Sequence, residues 1–79
     1  MGQHPRPKPK HLHTKLFAIR QRLGLSQSEL ARLLDFQLTP ARICEYESGT
    51  REPNLLVLLA YARAAGIPVE KIIDDQLRV

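Results

Sequence analysis

Residues 24–53 read GLSQSELARLLDFQLTPARICEYESGTREP, and this stretch decides the fold. It begins with Ser26 and Glu29, an S-x-x-E capping box in which each side chain accepts a hydrogen bond from the backbone N–H of the other residue. A helix is therefore predicted over residues 27–34. Its apolar residues recur at helical spacing, which gives the helix one apolar and one polar face.

A second helix start follows within the same stretch. Thr39 supplies a capping hydroxyl, and Pro40 suits the first helical position, where its missing N–H leaves no hydrogen bond unmade. This helix is predicted over residues 40–48, and Gly49 is placed to end it in a left-handed conformation. Two short helices joined by a turn, the second beginning with small and cationic residues, have the outline of a DNA-reading helix-turn-helix.

A dozen residues of this stretch occur in the order of a known family: Gly24, Leu25, Ser26, Gln27, Leu30, Ala31, Ile43, Tyr46, Glu47, Gly49, Arg51 and Pro53. They resemble the phage-repressor-like helix-turn-helix family, which includes Cro and lambda repressor and is also called Xre. The resemblance covers roughly residues 16–75 and implies an all-α, five-helix, lambda-repressor-like DNA-binding domain. The chain departs from the family at the turn, which is two residues longer than usual and lacks the family's glycine.

The composition limits the class of protein. A chain of 79 residues suits one domain with a small core, and its single cysteine, Cys44, fits a reducing compartment. No apolar run approaches about 18 residues, and no apolar segment follows the basic N-terminus, so neither a membrane span nor a signal peptide is predicted. We expect a cytoplasmic, nucleoid-associated protein that needs no cofactor and no metal.

The net charge of +4 lies in the first 15 residues, whose charged side chains are all basic: Arg6, Lys8, Lys10 and Lys15. The rest of the chain has eight basic and eight acidic residues. Prolines alternate with the first three cations, so residues 1–14 are predicted to be a flexible, disordered basic arm and residues 15–79 the helix-turn-helix domain. The arm is interpreted either as a contact to DNA phosphates or the minor groove, or as a solubilising tail.

Three further helices complete the prediction. Thr14 is placed to cap a helix over residues 15–23, and Asn54 to cap one over residues 55–65. A fifth helix is predicted over residues 69–75, and no strand alternation is present. The predicted core consists of Leu16, Ile19, Leu23, Leu25, Leu30, Ala31, Leu34, Ile43, Leu55, Leu58, Leu59, Ala62, Ile67, Ile72 and Ile73.

The helix predicted over residues 55–65 is more apolar than one buried face requires. The residues that lie off its predicted inward stripe are Leu56, Val57, Ala60 and Ala64. A second apolar stripe on a small chain suggests contact with another chain, and we expect these residues to form a homodimer contact. The alternative is that they pack beneath Leu77 and Val79 of the same chain.

The resemblance implies DNA contacts at the start of each helix of the pair, where free N–H groups favour phosphate, and in the loop that follows the second helix. The expected contacts at these places are Gln27, Ser28, Thr39, Ser48, Thr50 and Arg51. The base-reading positions that it implies are Pro40, Ala41, Arg42 and Glu45. Arg42 can pair with guanine or contact phosphate, and Glu45 can accept from cytosine N4 or remain a solvated acid.

The resemblance also implies an ion pair between Arg20 and Glu47, which would fasten the first predicted helix to the third. An arginine can pair with a carboxylate through two parallel hydrogen bonds. The alternative is two independently solvated charges, which contribute little to stability.

Together these features predict a sequence-specific transcriptional regulator that binds an operator in double-stranded DNA as a homodimer. An enzyme is not expected, because the sequence has no paired-carboxylate site and no nucleophile with a placed base. Two alternatives remain: an antitoxin that binds both an operator and a toxin, and an adapter whose helix-turn-helix binds protein. The neutral domain and the longer turn favour the adapter, whereas the loop donors and the basic arm favour DNA.

Overall fold

The computed structural model describes residues 9–35 and 37–79 and shows five α-helices, with no strand in these two ranges. They are α1 (Leu12–Leu23), α2 (Gln27–Leu34), α3 (Pro40–Ser48), α4 (Leu55–Ala65) and α5 (Glu70–Ile73). The all-α, five-helix prediction is therefore confirmed. Both α1 and α2 contact α3 and α4, so the α2–α3 pair is held on a scaffold of the other helices.

The boundaries of α2, α3 and α4 agree with the prediction because a polar side chain caps each start. Ser26 Oγ accepts from the N–H of Glu29 at 3.1 Å, and Glu29 Oε1 accepts from the N–H of Ser26 at 2.9 Å. The second of these bonds holds the pKa of Glu29 below its ordinary value. Thr39 caps α3 and Asn54 caps α4 in the same manner.

The start of α1 was predicted wrongly, because the helix begins at Leu12 and not at residue 15. Thr14, the predicted cap, lies inside the helix, where its hydroxyl donates to the carbonyl of His11 at 2.8 Å. The side chain of Leu12 is 6% exposed, and its burial favours the extra turn of helix. Residues 12–14 therefore belong to the folded domain, and the predicted arm boundary shifts accordingly.

The last helix is shorter than predicted, and a lysine marks its end. Asp74 has left the helical conformation, with φ −92° and ψ 113°. The Lys15 ammonium donates to the carbonyl of Lys71 at 3.0 Å and to that of Asp74 at 2.6 Å. Since Lys15 is 7% exposed, it is a structural residue that joins α1 to α5, and its charge does not extend the basic arm.

The first described residues are joined to the last turn by the Asp75 clasp, which consists of Asp75, Lys10 and His11. The Asp75 carboxylate accepts from the backbone N–H of Lys10 at 2.8 Å and from that of His11 at 3.1 Å. These hydrogen bonds, the first foremost, lower the pKa of Asp75. His11 is the N-cap of α1 and makes no side-chain capping bond, so the carboxylate supplies the acceptor at this helix start.

Among the described residues of the turn between α2 and α3, two non-glycine residues have positive φ: Asp35 at 66° and Gln37 at 55°. Left-handed backbone costs an L residue roughly 1–2 kcal/mol, a penalty that glycine does not carry. The longer turn therefore reverses the chain at strained positions, which the surrounding packing of α2 and α3 must stabilise.

The buried apolar side chains form one core: Leu12, Leu16, Ile19, Leu30, Ala31, Leu34, Ile43, Tyr46, Val57, Leu58, Tyr61, Ala62 and Ile72. Four predicted core residues are only partly buried: Leu23, Leu25, Leu59 and Ile67. Two others were predicted wrongly, since Leu55 is 68% and Ile73 39% exposed. Leu12, Val57 and Tyr61 also belong to the core and were not in the prediction.

The largest error concerns the orientation of α4. Its buried residues include Val57 and Tyr61, which are 2% and 0% exposed, so the helix is rotated relative to the predicted stripe. Val57 was predicted as a dimer contact, and this is wrong because its side chain lies in the core of its own chain. Almost every residue of α4 is apolar, so no polar face marks which side should point outward.

The C-terminal residues lie against α1 and not beneath the second stripe of α4. Leu77 and Val79 line a cavity together with residues of α1, and Arg22 donates to the carbonyl of Val79 at 2.6 Å. The alternative that they cover the α4 stripe is therefore wrong. Within residues 9–35 and 37–79, no helix has the length and apolar character that crossing a bilayer requires.

Candidate nucleic-acid interface

The C-terminal end of α3 is fixed by a partly buried ion pair. Arg20 Nε and Nη2 donate to the two carboxylate oxygens of Glu47 at 2.7 and 3.0 Å, and Nη1 donates to the carbonyl of Leu25 at 3.0 Å. The side chains of Arg20 and Glu47 are 17% and 8% exposed. This is the pair that the resemblance implied, and its hydrogen bonds raise the pKa of Arg20.

Gln27 joins this arrangement from the start of α2. Its side-chain amide donates to Glu47 Oε1 at 3.3 Å. We call Arg20, Gln27 and Glu47 the inner cluster. It ties α1, α2 and α3 together, so Gln27, which was expected to contact DNA, is oriented by the same carboxylate that holds α3.

The outer surface of α3 carries a second group of charges, which we call the outer cluster: Arg42, Glu45 and Arg51. Glu45 Oε1 lies 3.2 Å from Arg42 Nε and 3.5 Å from Arg51 Nε. The three side chains are 42–49% exposed. Glu45 is therefore neither a lone solvated acid nor free to accept from a base without leaving its arginines.

The loop after α3 is folded around the backbone carbonyl of Glu45. This oxygen accepts from the N–H of Thr50 at 3.1 Å and from that of Arg51 at 3.3 Å. It also accepts from the hydroxyl of Ser48 at 3.1 Å, and the Ser48 and Thr50 hydroxyls lie 2.9 Å apart. Gly49 permits this tight return because its φ is 82°.

The start of α3 presents its residues to solvent, since Thr39, Pro40 and Ala41 are exposed. The Thr39 hydroxyl accepts from the N–H of Arg42 at 3.2 Å and keeps its own proton for another acceptor. Ser28, near the start of α2, is exposed as well. This surface can thus offer hydroxyl, guanidinium and methyl groups, the groups that contact phosphates and base edges.

The predicted basic arm falls largely outside the described residues, which include neither Arg6 nor Lys8. Lys10 is described and its side chain is exposed. Pro9 lines a small cavity together with Thr50 and Arg51, so the chain enters α1 beside the loop after α3. Lys10 follows Pro9 in the chain, and its backbone N–H is bonded to Asp75, whereas the Lys15 ammonium is bonded at α5.

A groove between α2 and α4 contains three of the residues predicted as dimer contacts: Leu56, Ala60 and Ala64. It has a volume of about 430 Å³ and is lined by Leu33, Leu56, Leu59, Ala60, Arg63 and Ala64. Leu33 and Leu56 are 56% and 61% exposed, whereas Ala60 and Ala64 are partly buried against the core. Leu33 was not predicted as part of this surface, although its position opposite the buried face of α2 could have indicated it.

Several residues that matter here left no signal in the sequence. Lys15 and Asp75 act through hydrogen bonds to residues that lie 56 to 65 positions away in the sequence. Tyr61 was not singled out from the sequence either, and its hydroxyl is buried with no hydrogen-bond partner among the described residues. The pairing of Glu45 with Arg42 could have been found, because acid and base three residues apart share a helix face.

Comparison with known proteins agrees with this geometry. A sequence model of the helix-turn-helix family matches residues 16–72. No curated protein sequence matches the chain. Among solved structures, the P22 c2 repressor protein in complex with synthetic operator 9T in the presence of Tl⁺ has the same fold. The alignment covers 81% of this chain and 94% of that chain, with 22% sequence identity and a TM-score of 0.71.

Proposed function

This chain belongs to the phage-repressor-like helix-turn-helix family of DNA-binding regulators, and from that premise we propose that it binds an operator as a homodimer and thereby controls transcription. Family and fold point to a regulator and not to an enzyme. The proposed partner is double-stranded DNA, and the proposed place of action is the nucleoid in the cytoplasm. The observation that carries the proposal is the exposed start of α3. Its Arg42 and Arg51 of the following loop lie against the same carboxylate oxygen, so the two cations share one surface.

The proposed division of labour follows from position. Arg42 projects from the first turn of α3, the part of a recognition helix that contacts base edges. Arg51 lies in the loop, where a cation contacts the sugar-phosphate backbone. Gln27, Ser28, Thr39, Ser48 and Thr50 would add phosphate contacts, and Arg6, Lys8 and Lys10 would follow the backbone beyond the domain.

The groove between α2 and α4 supports the homodimer. An exposed apolar groove on a chain this small is favourable only when another surface covers it, and a second copy offers the same apolar residues. Leu56 takes the central place in this proposal because it is exposed, whereas Val57 is excluded by its burial.

The same groove favours a second candidate function. A toxin or another protein could occupy it, as the antitoxin and adapter hypotheses require, and Arg63 at its edge would suit an acidic partner. In the antitoxin case DNA binding is retained, whereas in the adapter case it is lost. A DNA-binding experiment therefore distinguishes the antitoxin from the adapter.

The first experiment is selection of binding sites from a random duplex pool by the full chain at about 150 mM salt, where contacts to phosphate alone are weak. We expect an enriched inverted repeat whose half-sites lie about one helical turn apart, which would establish both sequence-specific binding and the dimer. A pool that emerges without enrichment would contradict the regulator and favour the adapter.

Alanine variants then separate base contacts from phosphate contacts. Arg42→Ala should change the preferred sequence, whereas Arg51→Ala should weaken binding to all sequences and lower the salt slope by about 1. Arg78→Ala is the matched control, because it removes the same charge from an exposed residue outside both α3 and the groove between α2 and α4. Equal effects of Arg42→Ala and Arg51→Ala on every sequence would mean that Arg42 reads no base.

The dimer is tested by placing a charge in the groove. Leu56→Glu should leave the fold intact and shift the protein to a monomer in sedimentation equilibrium, because a carboxylate in an apolar interface is costly. Leu55→Glu is the control, since Leu55 is 68% exposed on the same helix and does not line the groove. A wild-type protein that is monomeric at high micromolar concentration would contradict the homodimer.

A further inference from the structure

Glu45 lies between the two arginines to which DNA contacts are assigned. One of its carboxylate oxygens is 3.2 Å from Arg42 Nε and 3.5 Å from Arg51 Nε. Arg42 belongs to the start of α3 and Arg51 to the loop after its end, so a single oxygen connects the proposed base contact with the proposed phosphate contact. A DNA phosphate would offer these guanidinium groups the same kind of anionic acceptor.

The backbone of Glu45 engages the remaining donors of the loop. Its carbonyl accepts from the N–H groups of Thr50 and Arg51 and from the hydroxyl of Ser48. The Thr50 hydroxyl lies 3.3 Å from the same oxygen. In the free protein, the donors of the predicted phosphate contact are thus turned toward one residue of the protein itself.

We propose that Glu45 is an internal phosphate surrogate, which occupies the arginines of the outer cluster until DNA replaces it. The inference rests on the proposed DNA-binding function. Binding to DNA then exchanges Arg–Glu45 contacts for Arg–phosphate contacts, so phosphate alone yields less affinity than two unpaired arginines would give. Arg42 must leave Glu45 to reach a guanine as well, so only base contacts made by other residues, such as Ala41, avoid this cost.

The exposure of the outer cluster makes this exchange feasible. Its side chains remain 42–49% exposed, so a phosphate can approach them without opening the fold. The Arg20–Glu47 pair of the same helix has no such freedom, because its side chains are only 17% and 8% exposed. Glu45 also repels phosphate directly while its carboxylate stays charged, which adds to the same effect.

The test compares Glu45→Gln with Glu52→Gln in the full chain. Glu52 lies in the same loop, is exposed and forms no ion pair with the described residues, so both variants make the same change in net charge. On a 20-base-pair duplex of random sequence, Glu45→Gln should bind about 5-fold more tightly than Glu52→Gln, since two exposed pairs are released. Its plot of log K against log salt should be steeper by about 1.

A second measurement does not depend on DNA. Heparin is a polyanion without base edges, and Glu45→Gln should elute from a heparin column at higher salt than Glu52→Gln. Equal elution, or equal duplex affinity and salt slope, would overturn the surrogate while wild-type binding to selected sites keeps the proposed function intact. If the two variants elute at different salt concentrations but the wild type binds no duplex, Glu45 would still be a surrogate for an anion, and the proposed DNA-binding function would be contradicted.

Discussion

Two glutamates of α3, separated by one residue, form ion pairs in opposite environments. Glu47 belongs to the inner cluster, where its carboxylate accepts from Arg20 and Gln27 and is 8% exposed. Glu45 belongs to the outer cluster and is 42% exposed. Both clusters contain an ion pair between an arginine and a glutamate, so burial distinguishes them: the less exposed pair holds helices together, and we propose that the more exposed one is exchanged for a ligand.

The largest expected effect is the loss of the inner cluster. Glu47→Ala should lower the free energy of unfolding by about 2 kcal/mol, because it leaves the partly buried Arg20 guanidinium with the Leu25 carbonyl as its remaining acceptor. Urea denaturation of the variant and the wild type gives this difference. A loss no larger than that of an exposed pair would break the contrast between the two clusters.

A double-mutant cycle separates the pair from its surroundings. Because Arg20 and Glu47 share two hydrogen bonds, Arg20→Ala combined with Glu47→Ala should cost clearly less than the two single changes together. Simple additivity would show that the two side chains act independently.

Tyr61 provides the next largest effect, with the opposite sign. Burial, and after it the charge of Glu47, raises the pKa of this phenol, whose hydroxyl lacks a partner among the described residues. Tyr61→Phe should therefore raise the free energy of unfolding by about 1 kcal/mol, since it removes an unsatisfied buried group and keeps the ring. Tyr61→Leu, which also removes the ring, should destabilise the protein and serves as the control for packing.

The outer cluster should contribute little to stability. Glu45→Ala is expected to change the free energy of unfolding by no more than about 0.5 kcal/mol, because both of its ion pairs are exposed. Thermal denaturation of Glu45→Ala and Glu47→Ala under the same conditions compares the two losses of stability directly. A loss as large as that of Glu47→Ala would mean that Glu45 is structural and cannot act as an exchangeable anion.

The smallest effect concerns pH and a third carboxylate, Asp75, which is exposed but bonded to backbone N–H groups. Its pKa is lower in the folded protein than the ordinary value of about 3.9. Its contribution is therefore present above about pH 4 and is lost as pH falls through the lower folded-state pKa. Asp75→Asn should reduce the acid-induced loss of stability, and identical pH profiles would show that the clasp contributes nothing.

The parts of the fold that were predicted correctly are set by neighbouring residues. Ser26 with Glu29, Thr39 with Pro40, and Asn54 each satisfy N–H groups within the next turn, so α2, α3 and α4 begin where expected. The failures involve distant packing. α1 is extended by the burial of Leu12, and the orientation of the uniformly apolar α4 is chosen by its contacts with α1 and α2.

The candidate site shows the same division. The sequence and the resemblance brought attention to Arg42, Glu45 and Arg51 as separate contacts. They did not show that the Glu45 carboxylate lies between the two arginines, because this requires the loop after α3 to fold back on that helix. The backbone hydrogen bonds from Thr50 and Arg51 to Glu45 follow from the left-handed Gly49 that the sequence predicted, but the sequence did not show where this return places the Arg51 side chain.

The Asp75 clasp and Lys15 join α1 and the residues before it to α5 and the turn after it, so these two regions should open together. The N–H groups of Lys10 and His11 are bonded only while the turn after α5 stays docked, and the end of α5 is held by a lysine of α1. The two regions should therefore behave as one foldon, and the amides of the first turn of α1 and of α5 should exchange with solvent deuterium at a common rate.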